Sequence, residues 1–422
     1  MANLYEIIEE LCPNGVEFKT LDTLGSFYSG LSGKSKDDFK DGNAKFITYV
    51  NVYNNPSVEL DVDTFVKVEE TERQNAIKYG DVLFTGSSET PDECGMSAVV
   101  TEDVAENIYL NSFCFGFRLY DSEVFLPGFL KHLFRSQDLR KQISQTASGV
   151  TRFNVSKKRF AKIQIPVPPL TVQSEIVKVL DNFTELTAEL TAELTARKKQ
   201  YEYYRNKLLS FSNIENRGGQ IGDIRHLKLG DVCNILTGFP FDSSKFVKNG
   251  IRLLRGMNIK RGYLDFDESN NKYWEISDDF DKYQLEAEDV VIAMDGSLVG
   301  RSFGVVKQKE LPMLLVQRVA RLRSKTENIR YIYYYITNSF TEYVDKNKTA
   351  GAVPHISQKD IANFPIVIPS LEEQERIVAI LDRFERLTND ITEGLPAEIK
   401  ARQQQYEYYR NKLLTFKQKL SA

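Results

Sequence analysis

Two loops carry side chains suited to holding an anionic ligand. The first runs Ser148-Gly149-Val150-Thr151-Arg152-Phe153-Asn154-Val155-Ser156 and offers hydroxyl, guanidinium and amide donors. Its glycine lets the backbone approach a ligand closely. It lies in a basic tract: from Lys131 to Lys162 there are nine Lys or Arg and one acid, Asp138. A second tract, Arg301 to Lys325, has seven Lys or Arg and one acid, Glu310, whereas Asp265 to Asp289 has ten acids and two lysines. A net charge of −4 predicts no partner by itself and argues against a uniformly basic nucleic-acid binder, yet each half holds a basic tract. Such tracts are either solvated surface or contacts for phosphates, and the glycine loops favour phosphates.

Other chemistry finds little support. Ser32-Gly33-Lys34-Ser35 resembles the end of a phosphate loop, but Tyr28 stands where that motif needs its first glycine. A turn exposing Lys34 and Lys36 is the simpler reading. Gly300-Arg301-Ser302-Phe303-Gly304 matches the nucleophile-elbow pattern, yet Val305 and Val306 continue as strand where a helix is needed. The chain has no HExxH, no GxGxxG after a strand, and no Asn-Pro-Pro-aromatic motif of base methylation. His132, His226 and His355 are far apart in sequence, and His132 reads as a structural histidine. Cys12, Cys94, Cys114 and Cys233 form no CxxC pair and read as buried thiols in a reducing cytoplasm. No signal peptide or membrane span is expected. The 422 residues, 41% hydrophobic and 27% charged, suit a soluble globular protein of two or three domains.

The elements that must position these loops occur twice. A short amphipathic helix at 1–10 is followed by expected strands in EFKTL, FITYVNV, DVLFTG and LNSFCFGFRL, a helical stretch from Phe125, the glycine loop, and a strand in KIQIPVP. The second half repeats the order with LKLGDV, LLRGMNI, EDVVIAMDGS, YIYYYITNSFTEYV, AGAVPHIS and NFPIVIP. Each half ends in a long helical pattern closing on QYEYYRNKLL, at Gln200–Leu209 and again at Gln405–Leu414. In the first pattern Ile176, Leu180, Phe183, Thr187, Leu190, Leu194, Arg197, Tyr201, Tyr204, Leu208 and Phe211 step by four and three, a heptad seam that calls for a partner helix. The second, from Ile377 through Leu381, Phe384, Ile391, Leu395 and Ile399, contains a stutter. Gly394-Leu395-Pro396 should kink or interrupt it. The first helix carries instead a tandem, Thr187-Ala188-Glu189-Leu190 and Thr191-Ala192-Glu193-Leu194.

With IPVPPLTVQSEIVKVLDNF (165–183), IPSLEEQERIVAILDRF (368–384), the decapeptide pair and the tandem, the chain resembles, over nearly its whole length, the specificity subunit of type I restriction–modification systems. The tandem resembles that of the subgroup with Thr-Ala-Glu-Leu spacer repeats. The resemblance implies an α+β protein with two pseudo-symmetric α/β target recognition domains separated by two long antiparallel helices forming a coiled coil. It implies a non-catalytic, cytoplasmic DNA-recognition subunit that reads an asymmetric bipartite site. Its expected partners are double-stranded DNA, modification (methyltransferase) subunits, two in number, and restriction (ATP-dependent motor/nuclease) subunits through the complex. S-adenosylmethionine and ATP would bind those other subunits, so no cofactor is expected here. The expected boundaries are 1–165 and 213–366 for the two domains, with 166–212 and 367–422 as spacer helices. A coiled-coil adaptor with protein-binding globular halves is the alternative, and steep salt dependence of binding would separate the two.

Loops and charge select the candidates for DNA contact. In the first half these are Lys34, Lys36, Thr48, Asn51, Ser87, Asn111, Ser148, Thr151, Arg152 and Asn154. In the second they are Lys245, Arg255, Asn258, Lys260, Ser297, Arg301, Gln317, Arg318, Lys348 and His355. The helix seam is assigned Ile176, Leu180, Phe183, Leu190, Leu194, Ile377, Leu381, Phe384, Ile391 and Leu395.

Overall fold

The computed structural model describes residues 2–210, 224–347, 354–389 and 394–419. The chain divides into two compact units, one of residues 1–191 with 398–422 and one of residues 192–397.

Each unit is built on the same sheets. In the first, an antiparallel sheet runs in the order Gly25–Ser29, Cys114–Leu119, Val82–Thr85, Ser97–Val99. In the second the order is Cys233–Thr237, Val319–Ser324, Val290–Ala293, Phe303–Val305. A smaller sheet accompanies each, with Ala44–Ile47 central in the first and Ile251–Leu254 central in the second, each paired antiparallel on one side and parallel on the other. A two-stranded ribbon completes each unit, Glu17–Thr20 with Gln164–Val167, and Arg225–Lys228 with Pro365–Ile368. The same half-buried ion pair locks both main sheets: Arg118 grips Asp81 through two nitrogens, and Arg323 grips Asp289 likewise. The bidentate geometry satisfies a carboxylate that is 1% exposed at Asp81 and 2% at Asp289.

One expected strand ends early. In FITYVNV only Phe46 and Ile47 belong to the strand Ala44–Ile47, and Tyr49–Asn54 is a helix. Thr48 caps that helix by accepting the Asn51 N–H. The Asn51 amide then fastens the following chain, accepting from Glu59 N–H and donating to Glu59 C=O at 2.8 Å. In the second unit Asn258, at the matching position, accepts from Arg255 N–H and donates to Asp265 C=O at 3.1 Å.

The helix Leu170–Leu209 is unbroken for 40 residues and contains the whole tandem. Its threonines bond back along the helix, Thr187 to Phe183 C=O and Thr191 to Thr187 C=O. The second long pattern is two helices, Leu371–Asn389 and Leu395–Leu413, the latter with Pro396 in its first turn, where a missing N–H costs nothing. Within the first unit Phe183 stacks on Tyr409 at 5.4 Å, and within the second Tyr204 stacks on Phe384 at 5.7 Å. Ile176, Leu180, Ile377 and Leu381 are fully buried and join the domain cores. Leu395 is buried as well, whereas Phe183, Leu190, Leu194 and Phe384 are only half-buried. Leu190 and Leu194 join neither domain core. Ile391 and Phe211 lie outside the described residues.

The motif glutamines have a structural task. Gln173, fully buried, accepts the Leu126 N–H and donates to the carbonyls of Val124 and Pro168. Gln374, equally buried, accepts the Asn328 N–H and donates to the Glu327 carboxylate and the Pro369 carbonyl. His132 bridges three helices of the first unit: Nε2 is 2.7 Å from Asp181 and Nδ1 is 2.9 Å from the Tyr406 hydroxyl. It is a satisfied structural histidine. Cys94, Cys114 and Cys233 are buried and Cys12 half-buried, all as free thiols, and burial pushes Cys114 and Cys233 up to about 12. Among the described residues no helix is long and apolar enough to cross a membrane, and no group of His, Cys, Asp or Glu could hold a metal ion.

Candidate nucleic-acid interface

In each unit three chain segments meet beyond the end of a central strand, joined by the same backbone bonds. In the first unit Gly86 N–H donates to Phe113 C=O at 2.8 Å, and Val155 N–H donates to Gly86 C=O at 3.0 Å. In the second, Met294 N–H donates to Arg318 C=O at 2.9 Å, and Ile356 N–H donates to Met294 C=O at 2.9 Å. Ser87 pairs across to Asn154, and Asp295 pairs across to His355. The backbone frame is thus duplicated while its side chains differ: Ser87, Phe113 and Asn154 in one unit, Asp295, Arg318 and His355 in the other.

A glycine supports each frame. Gly30 and Gly238 hold equivalent positions, and a Cβ there would lie 2.1 Å from Asn111 O and 2.3 Å from Val316 O respectively. In the first unit the third segment is a small hairpin, Ala147–Ser148 with Phe153–Val155, in which Ser148 pairs with Asn154. Gly149, at φ +151°, makes its turn. Ser148, Thr151, Arg152 and Asn154 are all exposed. Arg152 donates from Nε to Ser87 Oγ at 3.1 Å and lies 5.7 Å from the centre of the exposed Phe113 ring. Asn111 shapes the middle segment by accepting the Phe113 N–H. Lys157 reaches the same edge, donating to Ser29 Oγ at 3.3 Å.

In the second unit Gln317 and Arg318 are exposed in the middle segment, and Ser297 is exposed beside Gly296, whose N–H donates to Pro354 C=O. Arg318 donates from Nη1 to Asp295 Oδ2 at 2.8 Å. His355 is half-buried in the third segment. Lys348 lies outside the described residues.

Several sequence candidates are committed elsewhere. Lys34 is not exposed: its side chain is 4% accessible and its ammonium is paired with Glu72. Asn51 and Asn258 are buried and spend their amides on backbone, and Thr48 is a helix cap. Arg255 donates to Asn270 C=O at 2.6 Å, Lys260 is 3.7 Å from Asp265, and Arg301 is 3.5 Å from Asp345. Lys36 and Lys245 are exposed on short turns.

Part of each basic tract is committed inside the fold. Arg135 donates to the carbonyls of Val52, Tyr53, Asn55 and Ser97, and Arg140 to those of Asp92, Cys94 and Gly95. Burial pulls both guanidinium groups down to about 10, so they stay charged while carbonyls replace water. Lys131 and Lys162 pair with Asp181 and Asp22. Arg323 is held by Asp289, and Lys325 donates to Gly230 and Asp231 carbonyls. Lys141, Arg152, Lys157, Lys158, Arg159 and Lys162 are exposed in the first tract, and Arg301, Lys307, Lys309, Arg318 and Lys325 in the second. Sequence reading missed Phe113 and Asp295. The signal was the internal repeat, which aligns Asp295 with Ser87 and Phe113 with Arg318.

The model of the type I restriction modification DNA specificity domain matches residues 13–197 and again 222–401. The chain belongs to the type I restriction–modification DNA specificity family. The specificity subunit of the Escherichia coli type I restriction enzyme EcoR124I/EcoR124II is 38% identical over 272 residues, 60% of this chain and 63% of that relative. The MjaVIII specificity subunit of Methanocaldococcus jannaschii is 27% identical over 271 residues, 61% of this chain and 63% of that relative. A chain solved in work on complex assembly and conformational transition of the type I R-M system superposes with a TM-score of 0.60 at 18% identity, covering 96% of this chain and 98% of that one. The S subunit from M. genitalium gives 0.53 at 16% identity, over 95% and 96% of the two chains. This member of the family thus shares the fold across nearly its full length, and the matched domain occurs twice, as the internal repeat does.

Proposed function

We propose that this chain is the DNA sequence-recognition subunit of a type I restriction–modification complex, with each unit reading one half of an asymmetric bipartite site. The observation that carries the reading is the duplicated three-segment frame with different side chains. A shared scaffold keeps two readers in register with one kind of duplex, and unlike tips give them unlike targets. Residues 1–165 and 213–366 act as readers, and 166–212 with 367–422 as spacer helices in antiparallel pairing. The helices dock modification subunits, two in number, through which restriction subunits join. The complex works in the cytoplasm. Catalysis, S-adenosylmethionine and ATP belong to those partners, and this chain contributes position and selectivity. Linking two readers makes the second contact intramolecular, which raises affinity only where the spacing fits.

The test is to express the chain with its modification subunits and map methylated sites, then to exchange residues 213–366 for those of another family member. One half-site changes and the other persists. A change in both half-sites would refute the division of labour.

A further inference from the structure

Both frames bring a guanidinium to the same corner by different routes. In the first unit it comes from the third segment, as Arg152 on Ser87. In the second it comes from the middle segment, as Arg318 on Asp295. Ser87 and Asp295 are equivalent positions, one residue beyond the bond-bearing Gly86 and Met294 and paired across to Asn154 and His355. Arg318 has φ +66°, a left-handed conformation that few non-glycine residues adopt. The backbone bond from Met294 to its carbonyl helps to hold it there.

We infer that this corner reads a guanine in each half-site, with Arg152 and Arg318 contacting the base and Ser87 and Asp295 as the positioning residues that aim them. This rests on the DNA-reading function proposed above. The donor arithmetic fits. Arg152 spends Nε on Ser87 and keeps both Nη groups; Arg318 spends Nη1 on Asp295 and keeps Nε and Nη2. Either remaining edge is a two-donor fork, the complement of guanine O6 and N7. A backbone phosphate fits the second unit less well. The Asp295 carboxylate at 2.8 Å offsets the charge of Arg318, which weakens attraction to an anion but leaves a fork for a neutral base edge.

The experiment uses the complex with its modification subunits. Methylation rates are measured at the cognate site and at sites in which each guanine is replaced by adenine. Arg318→Lys keeps the charge and loses the fork. It should lower discrimination at one guanine of the second half-site by about 5- to 150-fold, leaving the first half-site unchanged. Asp295→Asn should lower it at that same guanine by a smaller factor, and Ser87→Ala should do so at one guanine of the first half-site. A merely structural role would lower methylation at all sequences alike and leave the base preference intact. Such uniform loss would overturn the inference, and so would full tolerance of Arg318→Lys, which would mark a phosphate contact instead. So would a half-site without guanine. Those outcomes leave the DNA-reading function standing, whereas methylation without any sequence dependence would remove that function itself.

Discussion

Gln374 offers a sharp test of how the helix Leu371–Asn389 is fixed within the second unit. Replacing it with alanine orphans the Asn328 N–H and the Pro369 carbonyl and takes one donor from Glu327, all beside a side chain that is 0% exposed. A buried polar group left unsatisfied costs about 1–3 kcal/mol. Glu327 keeps Arg225 at 2.9 Å, so its loss is the smallest. The two remaining groups set an expected loss of about 2–6 kcal/mol. The single tryptophan, Trp274, lies in the second unit against Phe241 and Phe280, so its fluorescence reports that unit. With a urea slope of ~2 kcal/mol per M, the Trp274 midpoint should fall by about 1–3 M. Gln374→Met, close in volume, removes the bonds with little cavity and should retain most of the loss. A midpoint shift below about 0.5 M for both variants would show that water replaces the amide and that the reasoning is wrong.

His132 should make stability depend on pH. Burial holds its imidazole below the ordinary value, so the folded unit binds fewer protons than the unfolded chain. Its contribution is intact above about pH 6.5 and falls as pH drops below that value, by up to ~1.4 kcal/mol per pH unit, until the folded pKa is passed. Denaturation at several pH values should show that slope in the parent and not in His132→Gln. Leu180→Ala, at a fully buried position, should cost about 2–5 kcal/mol, and Leu190→Ala, half-buried, less than half as much by thermal unfolding. Adding one Thr-Ala-Glu-Leu unit after Leu194 lengthens the helix by about 6 Å and should widen the methylated site's spacer by one or two base pairs, with one the favoured value, leaving both half-sites unchanged.

The repeat made the architecture legible. QYEYYRNKLL and the stepping of Ile176, Leu180 and Phe183 are local patterns, and helix and heptad are local consequences. The strands DVLFTG and EDVVIAMDGS were equally plain, since a buried central strand needs an unbroken apolar run. YVNV was misread because its side chains suit a strand, while the deciding bonds come from Thr48 and from Asn51 to Glu59. The candidate site was half legible. Arg152 and Arg318 stood out by loop and charge, but Arg135 and Arg140 have the same composition signal and lie inside the fold. Only tertiary packing separates an arginine facing water from one facing carbonyls. Asp295 stayed hidden because a lone acid in a turn says nothing until its neighbour from another segment is known.

The first unit is closed by residues 398–422. Leu413 and Leu414 sit in its core, and Val16 N–H and C=O bond to Lys417 and Lys419. The second unit is contiguous in sequence. On a ribosome the first unit must therefore wait, its apolar face uncovered, while residues 192–397 are made, which takes about 10–40 s at ~5–20 residues per second. The second-made half can finish folding before the first-made one. A chain stopped short of Leu413 would therefore damage the unit that was synthesised first.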